Sequence, residues 1–94
     1  MNITAGSVFQ RSPNATYQTV AGEAIVIDLN TGSYYSLNET GTWLWENLDG
    51  RRNVGQLAAE LAVVCDIPDQ VDMVESDLVE MLGDLTKERL ALLV

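Results

Sequence analysis

The chain has no histidine and only one cysteine among its 94 residues, and these shortages exclude several kinds of chemistry. Without histidine, neither a Ser-His-Asp nor a Cys-His arrangement is available to activate a nucleophile, and the commonest zinc ligand is missing. Cys65 by itself forms neither an internal disulfide nor a thiolate metal site. The turn at 30–32 leads into a strand-like run, so no glycine-rich loop opens a helix that would hold phosphate. We therefore predict a binding module without catalytic residues, metal or cofactor, and not an enzyme.

Basic residues are also scarce. Five Lys and Arg stand against fourteen Asp and Glu, which gives a net charge of −9, and residues 53–86 contain no Lys or Arg at all. Such a surface repels phosphate backbones, so nucleic acid is not an expected partner. A basic or neutral partner is favoured instead by electrostatic steering. The alternative is that the acids only solvate the exposed face of a helix.

Long apolar runs are missing too. None approaches the ~20 residues that cross a bilayer, so no membrane span is predicted. The first residues lack the basic and apolar regions of a secretory signal, and a single cysteine suits a reducing compartment. We therefore expect a cytoplasmic protein. A length of 94 residues predicts one domain over residues 1–94, and a hydrophobic content of 47% indicates a compact globule. Residues 1–6 are mostly polar or small and are expected to be flexible.

The N-terminal part of the chain carries the strand signals. Alternating or β-branched runs predict strands at Ser7–Gln10, Tyr17–Val20, Glu23–Leu29 and Ser33–Leu37. The last two are separated by a turn at 30–32 and are predicted to form a hairpin. Alternation along the last strand places Tyr35 and Leu37 towards the core, and Tyr34 and Ser36 on the opposite face.

Three helices are predicted after the strands, at about Glu39–Leu48, Val54–Cys65 and Pro68–Lys87. Asn38 is the expected N-cap of the first, and Gly50 suits a left-handed C-terminal cap. Residues at helical spacing are predicted to be buried: Gly41, Leu44, Trp45 and Leu48; Val54, Leu57, Ala58, Leu61, Val64 and Cys65; Val71, Val74, Leu78, Met81, Leu82 and Leu85. The predicted fold is α+β and winged-helix-like, with an N-terminal three-stranded antiparallel sheet followed by three helices.

The stretch Tyr34–Gly50 reads YYSLNETGTWLWENLDG and has a recognisable order of residues. Tyr-Tyr-x-Leu-Asn-x-x-Gly is followed by Leu-Trp and then by Leu-Asp-Gly. Asn53–Ala58 adds a polar-Val-x-x-Leu-Ala helix start, and a last helix with spaced aliphatic residues follows. Over roughly 24–93 this order resembles the PqqD-like family.

The resemblance implies a RiPP recognition element, which is a domain that binds the leader segment of a ribosomally made, post-translationally modified peptide. Such a domain acts as a peptide chaperone for a separate modifying enzyme. The sequence is most similar to the free-standing type of lasso-peptide biosynthesis, which works with a separate leader peptidase. The alternatives are a chaperone for a radical-SAM enzyme, as in pyrroloquinoline quinone synthesis, and a winged-helix regulator. The negative charge argues against the regulator, because its recognition helix must approach phosphates.

The family's mode of binding, β-augmentation, implies that the leader adds a strand to an exposed sheet edge beside the third helix. The implied contact residues are Ser33, Tyr34, Tyr35 and Ser36 on the strand, and Val71, Val74, Glu75, Leu78, Val79 and Leu82 on the helix. Val74 and Leu78 are central to the predicted stripe and are interpreted first as core, whereas Glu75 and Val79 lie on its flank. Trp43 stands one step outside the stripe of the first helix and is predicted to be exposed. Our hypothesis is that it docks the partner enzyme; the alternative is a single exposed aromatic residue without a partner, as many monomers have.

Overall fold

Strands and helices both contribute to the structure, a computed structural model that describes residues 2–94. The elements are β1 (Val8–Arg11), β2 (Ala15–Val20), β3 (Glu23–Asp28), β4 (Tyr34–Leu37), α1 (Glu39–Glu46), β5 (Asp49–Asn53), α2 (Val54–Val64), a 3₁₀ helix (Pro68–Gln70), α3 (Val71–Lys87) and β6 (Ala91–Leu93). The predicted α+β class is confirmed, because an antiparallel sheet in the order β2-β3-β4 precedes the three α-helices.

A second sheet, in the order β5-β1-β6, was not predicted. Its outer strands come from a segment that reads as a helix end and a loop, Asp49–Asn53, and from the apolar tail. Gly50 has a φ of +74°, as its predicted left-handed conformation requires, but it lies within β5 and α1 already ends at Glu46. These strands exist because both pair with β1, which is distant in sequence, and local propensity does not reveal such pairing.

The predicted helix starts agree with the structure. Asn38 caps α1 by accepting a hydrogen bond from the Gly41 amide at 2.8 Å. Asn53 caps α2 in a reciprocal capping box with Gln56, and both hydrogen bonds are 2.8 Å long. Gly41 also permits close packing of α1 on β4, because a Cβ there would lie 3.3 Å from the side chain of Leu37. The first turn of the predicted third helix is a 3₁₀ helix.

The core lies between the β2-β3-β4 sheet and the helices, and most of the predicted stripes are buried in it. The prediction is wrong at the end of α2, where Val64 is 64% exposed and Cys65 is a free, exposed thiol. The helix ends at Val64, so Cys65 follows it as the C-cap and does not continue the buried face. That face ends at Ala62, which is fully buried.

The segment before β1 was predicted to be flexible. Met1 lies outside the described residues, but Ile3 packs against the core and the carbonyl of Ala5 accepts a hydrogen bond from the Gly55 amide at 2.9 Å. These contacts join the segment to the start of α2.

Candidate functional site

The free edge of β4 is the first feature of the candidate site. Within residues 2–94, β4 pairs only with β3, in antiparallel register. The Asp28 amide donates to the Ser33 carbonyl at 2.8 Å, which identifies the hydrogen-bonded pairs of this ladder. Because these pairs alternate along antiparallel strands, the backbone of Tyr35 faces β3, and the N–H and C=O groups of Tyr34 and Ser36 point outward. An extended peptide finds its complementary donors and acceptors there.

A buried hydroxyl holds the far end of this hairpin. The Ala24 amide donates to Thr42 Oγ1 at 2.8 Å, and the same hydroxyl lies 3.5 Å from the Leu37 carbonyl. Thr42 on α1 therefore bridges β3 and β4 where the two strands leave the sheet. This bridge fixes the edge strand against the first helix.

Helix α3 forms the wall opposite the free edge. Tyr35 Oη donates to Asp84 Oδ2 at 3.4 Å, so the side chain of Tyr35 reaches from the inner face of the sheet to the helix. Burial, and then the charge of Asp84 and its hydrogen bond, raise the pKa of Tyr35 above its usual value of 10.0. Tyr35 lines one hollow, and Asp84 lines a second, whose other side is formed by Asn38 and Thr40 just after β4. Together we call the two hollows the β4–α3 cleft.

The two hollows differ in charge. The first, of about 270 Å³, is lined on the helix side by Lys87, Glu88 and Arg89, so bases and acids are mixed. The second, of about 350 Å³, is lined on the helix side by Asp77, Glu80, Met81 and Asp84, and no Lys or Arg lines it. In the part of the chain that the structure describes, the ion pairs are those of Arg52 with Asp49 and Glu60, so no base within 4.0 Å neutralises the acids of the cleft.

The predicted strand residues lie at this site. Ser33, Tyr34 and Tyr35 line the first hollow, and Ser36 presents its backbone to the free edge. Tyr34 is 74% exposed on the outer face, whereas Tyr35 is half-buried on the inner face, as alternation predicted. Their contact with a peptide stays a prediction.

The predicted helix residues are placed differently. Val74, Leu78 and Leu82 are at most 5% exposed and belong to the core, while Val71, Glu75 and Val79 are half-buried. None of the six lines either hollow of the cleft. Sequence reasoning missed the residues that do line it: Asp77, Glu80, Met81, Asp84, Lys87 and Glu88. The available signal was a second stripe at helical spacing beside the core stripe. Its acids were left open between attracting a basic partner and solvating an exposed helix face.

Trp43 lies at a separate surface. It is half-buried, not exposed as predicted, and lines a hollow of about 560 Å³ between α1 and α2. Val63 and Val64, which are 67% and 64% exposed, line the same hollow. A role of this surface in docking an enzyme stays a prediction.

The described residues hold no helix long and apolar enough to cross a bilayer. Between residues 2 and 94 there is also no group of three or more acidic or cysteine side chains placed to hold a metal ion.

Fold and site together define a class of protein: a small winged-helix-like domain with a free strand edge facing a long helix. The family described as coenzyme PQQ synthesis protein D (PqqD) matches residues 23–91. The chain belongs to this family, which confirms the resemblance that the sequence shows.

A solved structure has the same fold. TbiB1, determined in complex with the TbiA(beta) leader peptide, is similar with a TM-score of 0.72 and 22% sequence identity. The similarity covers 87% of this chain and 93% of TbiB1. No curated protein matches the chain.

Proposed function

We propose that this domain binds the leader segment of a ribosomally synthesised precursor peptide as an additional strand on β4. It presents the leader to a separate modifying enzyme, and the enzyme class we favour is the leader peptidase of a lasso-peptide pathway. The observation that carries the proposal is the free edge of β4, where the backbone groups of Tyr34 and Ser36 point outward beside the β4–α3 cleft.

Backbone pairing and side-chain selection have different roles in this mode of binding. Each intermolecular backbone hydrogen bond contributes about 0.5–1.5 kcal/mol net, whatever the peptide sequence. Discrimination between peptides therefore depends on the side chains that surround the edge. The cleft supplies such side chains on α3, at the helix face next to Tyr35.

The fold of TbiB1 supports the leader peptide as the ligand class, because that structure contains a leader peptide. The match to the PqqD family favours a second candidate, a peptide chaperone for a radical-SAM enzyme. Both candidates share the peptide-binding step and differ in the enzyme that receives the peptide. A DNA-binding regulator has less support, because residues 53–86, which include all of α2 and nearly all of α3, contain no base.

A titration with a synthetic leader tests the peptide-binding step. The leader is to be taken from a precursor peptide sought among the genes that neighbour this protein's own. Binding is read from the fluorescence of Trp43 and Trp45 and from amide hydrogen exchange. We expect the outward amides of Tyr34 and Ser36 to become protected. Binding that leaves both amides unprotected would overturn strand addition on β4.

The receiving enzyme is tested in a second step. The rate of leader cleavage by the separate peptidase is measured with and without this domain. An increase that depends on the domain supports the lasso-peptide assignment. An unchanged rate, combined with stimulation of a radical-SAM enzyme, supports the second candidate.

A further inference from the structure

A peptide strand added to β4 has two sides, and this chain surrounds them with different chemistry. Directly paired residues of neighbouring strands project to the same face of a sheet. Peptide residues opposite Tyr34 and Ser36 therefore lie on the outer face. Residues opposite Tyr35 and Leu37 lie on the inner face, towards α3.

The inner side is acidic. Asp77, Glu80 and Asp84 line the hollow next to the Leu37 end of β4, and no Lys or Arg lines it. An aliphatic side chain placed there would displace water from these carboxylates and would offer no hydrogen bond in its place. A Lys or Arg side chain lays its methylene groups on Met81 and brings its charge to the carboxylates.

The outer side is apolar. Tyr34 is 74% exposed, and Ile27 lies directly opposite it on β3. Ile25, which pairs with Ser36, is 40% exposed on the same face. An apolar peptide residue opposite Tyr34 or Ser36 continues these cross-strand rows and covers part of their surface.

The basic requirement is limited to part of the edge. A peptide residue opposite Ser33 meets the first hollow, where Lys87 and Arg89 lie with Glu88. Because bases and acids are mixed there, this hollow favours neither a positively nor a negatively charged peptide residue. Tyr35 lines the first hollow, but its hydroxyl reaches Asp84, and Asn38, which follows Leu37, lines the second hollow. The two inner positions opposite Tyr35 and Leu37 therefore lie nearest the acidic wall of α3, which consists of Asp77, Glu80 and Asp84.

We propose that the peptide segment docked on β4 carries basic residues at the two inner positions and apolar residues at the outer positions between and beside them. This inference rests on the proposed function and names its ligand class: a leader segment that alternates Lys or Arg with apolar side chains. The acids of α3 thus select the ligand, and the free edge supplies the sequence-independent part of the affinity.

Three synthetic peptides test the alternation. One alternates Lys with Val, the second has the same composition with Lys and Val in separate blocks, and the third alternates Glu with Val. Affinities are measured by calorimetry at low salt. We expect the alternating Lys peptide to bind about tenfold more tightly than either of the others. Equal affinities of the Lys and Glu alternating peptides would overturn the inference.

Two protein variants test whether the acids of α3 cause the preference for the alternating Lys peptide. Asp77→Asn combined with Glu80→Gln removes two charges from the second hollow and leaves the Tyr35–Asp84 hydrogen bond in place. Asp69→Asn combined with Asp72→Asn removes the same charge from exposed positions that line neither hollow. The first variant is expected to lose the preference for the alternating Lys peptide, and the second to keep it. Equal losses in both would show that net charge alone attracts the peptide and would overturn the inference.

The leader titration separates this inference from the proposed function. If the leader protects the Tyr34 and Ser36 amides while the three peptides bind equally, strand addition stands and the alternation is wrong. If the leader does not bind, the proposed function itself fails. Circular dichroism of each variant confirms that it is folded before affinities are compared.

Discussion

The β2-β3-β4 sheet has two outer strands, and their surroundings differ. Each has a tyrosine on its inner face whose hydroxyl donates to a helix carboxylate: Tyr17 to Glu46 at 3.2 Å and Tyr35 to Asp84 at 3.4 Å. Tyr17 also packs edge-on against Trp45, with ring centroids 6.0 Å apart, and fills the space between β2 and α1. Tyr35 instead lines an open hollow, and its hydrogen-bond partner Asp84 lines a second one. The comparison shows that a free edge offers hydrogen bonds, while the neighbouring side chains determine whether a peptide has room to use them.

The largest expected effect is on leader affinity, and it comes from placing proline on the outer edge of β4 or of β2, one strand at a time. Ser36→Pro removes an outward N–H from β4, and proline is tolerated at such edge positions because the bond to the neighbouring strand is not involved. Thr19→Pro makes the same change on the outer edge of β2. Losing an intermolecular hydrogen bond and disturbing its neighbours is expected to weaken leader binding about tenfold or more for Ser36→Pro. Calorimetry with the leader measures the change.

The matched variant makes this comparison decisive. Thr19→Pro is expected to bind the leader like the unsubstituted protein. If Thr19→Pro loses binding and Ser36→Pro keeps it, the peptide docks on β2 and the assignment of the two edges is reversed. Thermal unfolding of both variants checks that the sheet itself is intact.

The surface around Trp43 allows binding to be separated from delivery. Trp43 packs against the core, so Val63→Ser is the milder companion to Trp43→Ala. Both are expected to reduce the stimulation of the modifying enzyme and to leave leader affinity unchanged, because no β2 or β4 residue lines that hollow. Enzyme rates are measured at a saturating concentration of the leader. Unchanged stimulation in both variants contradicts a docking role.

A smaller effect is expected from salt. Because the acids of α3 line the hollow beside Asn38, which directly follows β4, leader affinity should fall as ionic strength rises. The slope should be shallower for Asp77→Asn combined with Glu80→Gln than for Asp69→Asn combined with Asp72→Asn. A titration series over a range of salt concentrations gives both slopes. Identical slopes would show that Asp77 and Glu80 do not contribute to the recognition of the leader.

The smallest expected effect concerns alkaline stability. The pKa of Tyr35 is raised in the folded protein by burial and by Asp84, so the folded state favours the neutral phenol. Its contribution to stability is complete below the unfolded-state pKa of 10.0 and is lost as pH rises through the folded-state pKa. As pH rises above 10.0, the Tyr35→Phe variant should therefore lose less free energy of unfolding than the unsubstituted protein. Urea unfolding on either side of that pH measures the difference, and identical pH profiles would contradict the assignment.

Much of the local structure was predictable from the sequence. Asn38 and Asn53 have the short polar side chains that cap helices, and both do so. The hairpin between β3 and β4 follows from a turn between two strand-like runs. The family was recognisable from the order of residues in Tyr34–Gly50, because the spacing between the strand and the first helix is itself a local property.

The candidate site was only partly predictable. Tyr34 and Tyr35 were assigned to opposite faces correctly, since alternation along a strand has a fixed period. On α3, Val74 and Leu78 were included although they are buried, and Asp77 and Asp84 were not named, because the acids were left open between attracting a basic partner and solvating a helix face. Both stripes repeat at helical spacing. The rotation of the helix about its own axis decides which stripe borders the cleft.

By itself, the sequence determined the features that depend on near neighbours: helix starts, the hairpin, the alternating faces and the negative charge. Only the tertiary structure decided which strand edge borders a cleft, that Asp49–Asn53 and Ala91–Leu93 join β1 in a second sheet, and that Cys65 is exposed. The physical reason is the range of the interactions. Caps and periodicity act over a few residues, whereas strand pairing and helix rotation minimise the free energy of the whole packed chain.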